Sequence, residues 1–146
     1  LKLPFKTSNV TAEGQFPDDA TWYIVYINGN KVLSGETASV IFNSTTEGKL
    51  QRCTAFADIN DETLWCFRDN GDGTYGLFNK ANPGMVMAFD GVGPTLVPVT
   101  GSERGFEVLS VGDAYGFYDP AAGGLLNDNG GQGIVYYAGL YIDPAS

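Results

Sequence analysis

The chain has 146 residues, with 17 Asp and Glu against 8 Lys and Arg, no His, and a formal net charge of −9. That balance excludes the clustered basic surface that nucleic acid or an anionic membrane requires, and its simplest consequence is solubility. The 20 Gly, 7 Pro, 2 Trp, 8 Tyr and 9 Phe point to one domain of many short strands and tight turns rather than helices.

No long stretch carries the 3.6-residue apolar rhythm of a helix. The most apolar run, Trp22 to Ile27, is too short to cross a bilayer as a helix. The chain starts at Leu1 with neither an initiating Met nor a leader, the pattern of a processed or excised domain.

In chain order, the N-terminal stretch Leu3-Pro4-Phe5-Lys6-Thr7 has no clear partner. Thr21 to Tyr26 then reads as an aromatic-led strand, followed by the short apolar strand Lys31-Val32-Leu33. Leu50 to Phe56 and Thr63 to Arg68 read as a hairpin around Ile59-Asn60. Within it, alternation sets Trp65 and Phe67 on one face.

Asp69-Asn70-Gly71-Asp72-Gly73 contains both Asn-Gly and Asp-Gly, dipeptides that tolerate the positive φ of a tight hairpin. Strands are expected over Thr74 to Asn79, Met85 to Phe89, Thr95 to Val99 and Gly105 to Val111, with Asn82-Pro83-Gly84 as a turn. The order then repeats: Asp113 to Asp119, a turn at Pro120 to Gly124, Leu125 to Asn127, a polar Gly-rich loop, and Ile134 to Ala138.

An aromatic-led strand, a turn and a second apolar strand thus recur roughly every forty residues, the mark of one supersecondary unit used several times. The expected fold is all-β: a closed, pseudo-threefold domain spanning 1–146, with four-stranded repeats at about 21–69, 74–111 and 113–146. The third repeat leaves only Gly139 to Ser146 for its fourth strand. Either the chain stops short of that strand, or the N-terminal segment 1–20 completes the barrel beside the first repeat.

The four-stranded unit used three times, the Trp-containing strand Leu64-Trp65-Cys66-Phe67, and the short apolar strand after each hairpin resemble the ricin-type β-trefoil. Phe16 to Ile24 together with Asp61 to Phe67 is similar to accessory domains of secreted glycan-degrading proteins of gut Bacteroidetes. The resemblance implies a non-catalytic, lectin-like module of an extracytoplasmic protein (secreted, periplasmic or on the cell surface). Its partners would be a glycan and other domains of the parent protein, with no nucleic acid and no membrane insertion.

In that family a structural Trp sits in a Gln-x-Trp signature, and a sugar site uses a polar group on the second strand, an aromatic platform and a nearby amide. The Trp matches Trp65, whereas Thr63 stands at the Gln position and Arg104-Gly105-Phe106 lacks both residues. The second-strand position holds Ser34, Ala88 and Asn127 in turn. The third repeat therefore supplies the carbohydrate-binding candidates: Asn127, Asp128, Asn129 and Gln132, with Tyr118 and Tyr137 as platforms. Tyr136 and Tyr137 must face opposite ways if they share a strand.

Other residues have structural readings. Trp22, Trp65, Phe67, Phe106 and Phe117 are expected in the core. Asp69 to Gly73 and Asp58 to Glu62 lack the spacing of a calcium loop, and hairpin turns account for both. Without His there is no Ser-His or Cys-His nucleophile and no ordinary zinc site. A carboxylate pair could hydrolyse a glycosidic bond, but no motif marks one. The expectation is therefore no catalytic residue, no metal and no cofactor, the alternative function being a protein-interaction or spacer domain without a sugar ligand.

Cys53 and Cys66 fall opposite one another in the register of the hairpin around Ile59-Asn60, where Cβ atoms lie about 4.5–5.5 Å apart, close to what a disulfide needs. The same register turns both away from Trp65 and Phe67. A bridge and two buried free thiols both remain open.

Overall fold

The computed structural model describes residues 3–27, 41–44, 50–53, 61–88, 95–101, 103, 105–111, 114–120, 123–128, 134–136 and 140–144. Among these residues are twelve strands: β1 Tyr23–Ile27, β2 Ile41–Ser44, β3 Leu50–Cys53, β4 Trp65–Asp69, β5 Tyr75–Asn79 and β6 Met85–Ala88, then β7 Thr95–Pro98, β8 Glu107–Val111, β9 Ala114–Asp119, β10 Gly124–Asp128, β11 Ile134–Tyr136 and β12 Leu140–Pro144. The sole helical element among the described residues is a 3-10 turn at Asp61–Thr63. None of them forms a helix long and apolar enough to cross a membrane.

The ladders make a ring. β4 pairs with β1 and β5, β8 with β9, β9 with β12, and β12 with β1. The antiparallel bridge Tyr75↔Phe106 joins β5 to β8. Three hairpins stand off this ring: β2–β3, β6–β7 and β10–β11.

Alternation decides which side chains fill the ring. Tyr23 and Val25, Trp65 and Phe67, Leu77, Phe106 and Val108, and Phe117 all point inward into one buried cluster. Each of these large groups stabilises the fold by about 1.5–3 kcal/mol through burial alone. Cys66 and Phe78 point the other way and join Val10 and Val86 in a second cluster, so the expected separation of Cys66 from Trp65 and Phe67 is found. Tyr23 takes the inward position, and Trp22, half-buried, packs against this second cluster, edge-on to Phe16 at 4.7 Å and beneath Lys80 Nζ at 5.3 Å.

The turns follow their chemistry. Gly71 and Gly73 adopt φ of 82° and 88° in the β4–β5 hairpin, the left-handed region open to Gly at no steric cost. Gly105 is close-packed for a different reason, since a Cβ there would stand 2.5 Å from Thr74 Oγ1 and 2.7 Å from the Tyr75 carbonyl oxygen.

Two expectations need correction. The last strand is supplied by β12, which pairs along β1 from Tyr23↔Pro144 to Ile27↔Leu140. The N-terminal segment instead runs under β4, where Thr7 makes a parallel bridge to Phe67 and Ser8 N donates to Phe67 O at 2.7 Å. Its Phe5 ring inserts into the core. In addition, the hairpin expected to set Cys53 opposite Cys66 is replaced, among the described ladders, by two others: Cys53 lies opposite Ile41 and Cys66 opposite Phe78. Among the described ladders β3 pairs with β2, and β4 pairs with β1 and β5. Lys31 to Leu33 and 54–60 lie outside the described residues.

Candidate functional site

Three of the expected sugar-binding residues, Tyr118, Asn127 and Asp128, fall on β9 and β10. Tyr118 is half-buried on β9, opposite Glu107 on one side and Leu125 on the other. Beyond Leu125 the β10 strand leaves β9 and ladders with β11, with Asn127 opposite Val135 and Asp128 opposite Ile134. The backbone thus brings an aromatic and two polar positions onto adjoining strands. Asn129, Gln132 and Tyr137 lie outside the described residues, as does Ser34 of the first unit, while Ala88 ends β6.

A polar cleft of about 250 Å³ opens at the β4–β5 hairpin, lined by Arg68, Asp69, Asn70, Asp72, Gly101 and Glu103. Its groups serve the local backbone. Gly71 N donates to Asp69 Oδ1 at 2.8 Å, and Thr74 donates to Asp72 Oδ1 from both its backbone N, at 2.9 Å, and its hydroxyl, at 2.6 Å.

The Thr74 donors hold the Asp72 carboxyl below its usual range. Partial burial works to raise Glu103, but the donors of Thr100 and Gly101 outweigh it and keep that carboxyl low. Arg68 Nε donates to Asn70 Oδ1 at 3.1 Å. Acids already committed as acceptors in this way fit a turn scaffold, in keeping with the hairpin reading of Asp69 to Gly73. Among the described residues no group of three or more Cys, Asp or Glu side chains is arranged to hold a metal ion.

Two buried polar residues had no place in the sequence reading. Asn79 closes β5: its Nδ2 donates to Glu62 O at 2.8 Å, and its Oδ1 accepts from Ala81 N at 3.1 Å and Asn82 Nδ2 at 3.0 Å. Asp119, also fully buried, closes β9, where Gly123 N donates to its carbonyl oxygen at 2.8 Å. The parallel endings Tyr75-Gly-Leu-Phe-Asn79 and Tyr115-Gly-Phe-Tyr-Asp119 are the signal that could have found them.

A second cleft, of about 440 Å³, is lined by Leu3, Gly73, Tyr75, Glu107, Val108 and Leu109. Cys66, on the far side of β4, is a free buried thiol whose burial pushes its pKa up to about 12.

No protein-family model matches this chain, and no curated protein matches it. Among solved structures, a designed threefold-symmetric protein, ThreeFoil, matches with a TM-score of 0.57 over 80% of this chain and 89% of its own, at 15% identity. The fold is trefoil-like. At that identity the likeness speaks for the architecture alone.

Proposed function

We propose that this trefoil-like domain is a non-catalytic carbohydrate-binding module of the ricin type, an accessory part of an extracytoplasmic glycan-handling protein like those of gut Bacteroidetes. Its three pseudo-equivalent units are β1–β4, β5–β8 and β9–β12. Three matching bridges between the first and fourth strands of these units support that division: Tyr23↔Trp65, Tyr75↔Phe106 and Tyr115↔Leu140.

The observation that carries the sugar reading is the register of the third unit. Half-buried Tyr118 sits opposite Leu125, and Asn127 and Asp128 follow on the same strand where it turns away into its hairpin. A sugar ring presents an apolar C–H face and a rim of hydroxyls, so an aromatic beside fixed donors and acceptors suits it.

A glycan array probed with the whole chain tests the reading. An Asn127→Ala, Asp128→Ala double variant should lose binding while its circular dichroism and melting curve stay those of the parent. An array without a ligand, or a double variant that binds as tightly as the parent, ends the sugar reading in favour of a spacer or protein-interaction domain.

A further inference from the structure

The chain shows how one of its own barrel seams is dressed. Trp65 bridges Tyr23, and two residues further along β4 the carbonyl of Phe67 accepts from Ser8 N at 2.7 Å, within a parallel bridge to Thr7. An extended segment has been added to the strand edge that opens below the bridge.

The next seam repeats the construction, and among the described residues no segment is added there. Phe106 bridges Tyr75 through two hydrogen bonds, Tyr75 N to Phe106 O at 2.8 Å and Phe106 N to Tyr75 O at 3.0 Å. Backbone groups alternate sides along an antiparallel strand, so Val108, two residues on, turns its N–H and C=O to the β5 side as well. There β5 has already ended, and the chain turns away through Gly73. Those groups face the 440 Å³ cleft, among Leu3, Gly73, Tyr75, Glu107 and the 40%-exposed Leu109.

We propose that this cleft is a docking site for a short extended peptide, which adds to the edge of β8 at Val108 as the chain's own residues add to β4 at Phe67. Main-chain hydrogen bonds supply affinity in such strand addition, and pockets for alternate side chains supply selectivity. Leu3, Tyr75 and Leu109 offer apolar contacts. Among the described residues of the lining Glu107 is the one that carries a charge, in a chain of net charge −9, so the favoured peptide is basic and an acidic one is repelled. The inference does not rest on the sugar reading, although Glu107 of this cleft stands opposite Tyr118 of the candidate sugar site.

The test is a titration of the ¹⁵N-labelled full chain with the synthetic hexapeptide Phe-Lys-Thr-Ser-Asn-Val, the sequence of residues 5–10. Saturation should shift the amide signals of Val108 and Tyr75 and slow hydrogen exchange at Val108. A peptide N-methylated at its Ser, unable to donate the equivalent bond, should bind roughly tenfold more weakly. A Lys→Glu peptide should fail on the parent chain and bind the Glu107→Lys variant.

The proposal is overturned if the Val108 amide does not move, if the shifts are confined to Phe67 and its neighbours on β4, or if the N-methylated peptide binds equally well. A peptide-free dimer in sedimentation that protects Val108 would make a second copy of the chain the occupant and would also overturn it.

Discussion

The Phe5 ring lies face to face with Phe67, with centroids 3.8 Å apart and planes 6° from parallel. One residue comes from the N-terminal segment and the other from the centre of β4, so a stretch that, among the described residues, bridges β4 only at Thr7 becomes part of the barrel's filling. Phe67 in turn meets Tyr23, Phe106 and Phe117 edge-on, placing Phe5 against the hub of the core. Phe5→Ala should therefore destabilise the domain by about 3 kcal/mol or more. Urea denaturation would check this, and a loss below about 1 kcal/mol would show that the segment is dispensable.

Gly105 is fixed by the close approach of β5, not by its φ. Gly105→Ala drives a Cβ into Thr74 Oγ1 and the Tyr75 carbonyl, the latter belonging to the pair of hydrogen bonds that joins β5 to β8. The expected cost is about 1–3 kcal/mol, with faster hydrogen exchange at Tyr75 and Phe106. An unchanged melting temperature would contradict the close approach.

Asn79 holds the 3-10 turn and the end of β5 together from a fully buried position. Asn79→Leu keeps the branched side-chain skeleton but removes the donor to the Glu62 carbonyl and the acceptor for the Ala81 N–H. The expected loss is about 2–3 kcal/mol, more than a surface hydrogen bond is worth. A thermal melt measures it, and a neutral result would show that water replaces the amide.

Cys66 is buried among Val10, Phe78 and Val86, and burial raises its thiol pKa from 9.0 to about 12. The folded chain thus favours the neutral thiol. That stability is fully present below the unfolded pKa and is lost as pH climbs from about 9 toward about 12, because the unfolded thiol ionises first. At pH 8 a thiol reagent should label Cys66 only as fast as the domain unfolds, with peptide mapping locating the label. Rapid labelling of the native chain at this residue would refute the burial.

The strands of the second and third units were legible because each couples a period-two pattern to turn residues with a defined backbone preference, as in Asp69 to Gly73. The inward face of β4 was legible for the same reason. The pairings between distant strands were not. Local alternation says which way Cys53 and Cys66 point relative to their neighbours, but not which strand lies alongside, and the hairpin that would have joined them is the part the ladders replace.

Size alone marks Trp22 for the core but not for which cluster: one step of alternation gives the inward place to Tyr23 and sets Trp22 against the second cluster. In the candidate sugar site, Tyr118 and the course of β10 follow from pattern. Asn129 and Gln132 lie outside the described residues, and their Gly-rich sequence offers no alternation from which to read a direction.

The pairing of β1 with β12 bears on how the molecule is made. Tyr23–Ile27 ladders with Leu140–Pro144, so the ring gains its closing contact only between segments from opposite ends of the sequence. Contacts of such high sequence separation slow folding, since the chain must be ordered before they reward it. During synthesis β1 has its full ladder only after β12 has left the ribosome. Until then the partial chain lacks the partner of a strand rich in Tyr and Ile, the kind of unpaired edge that makes an incomplete fold prone to association.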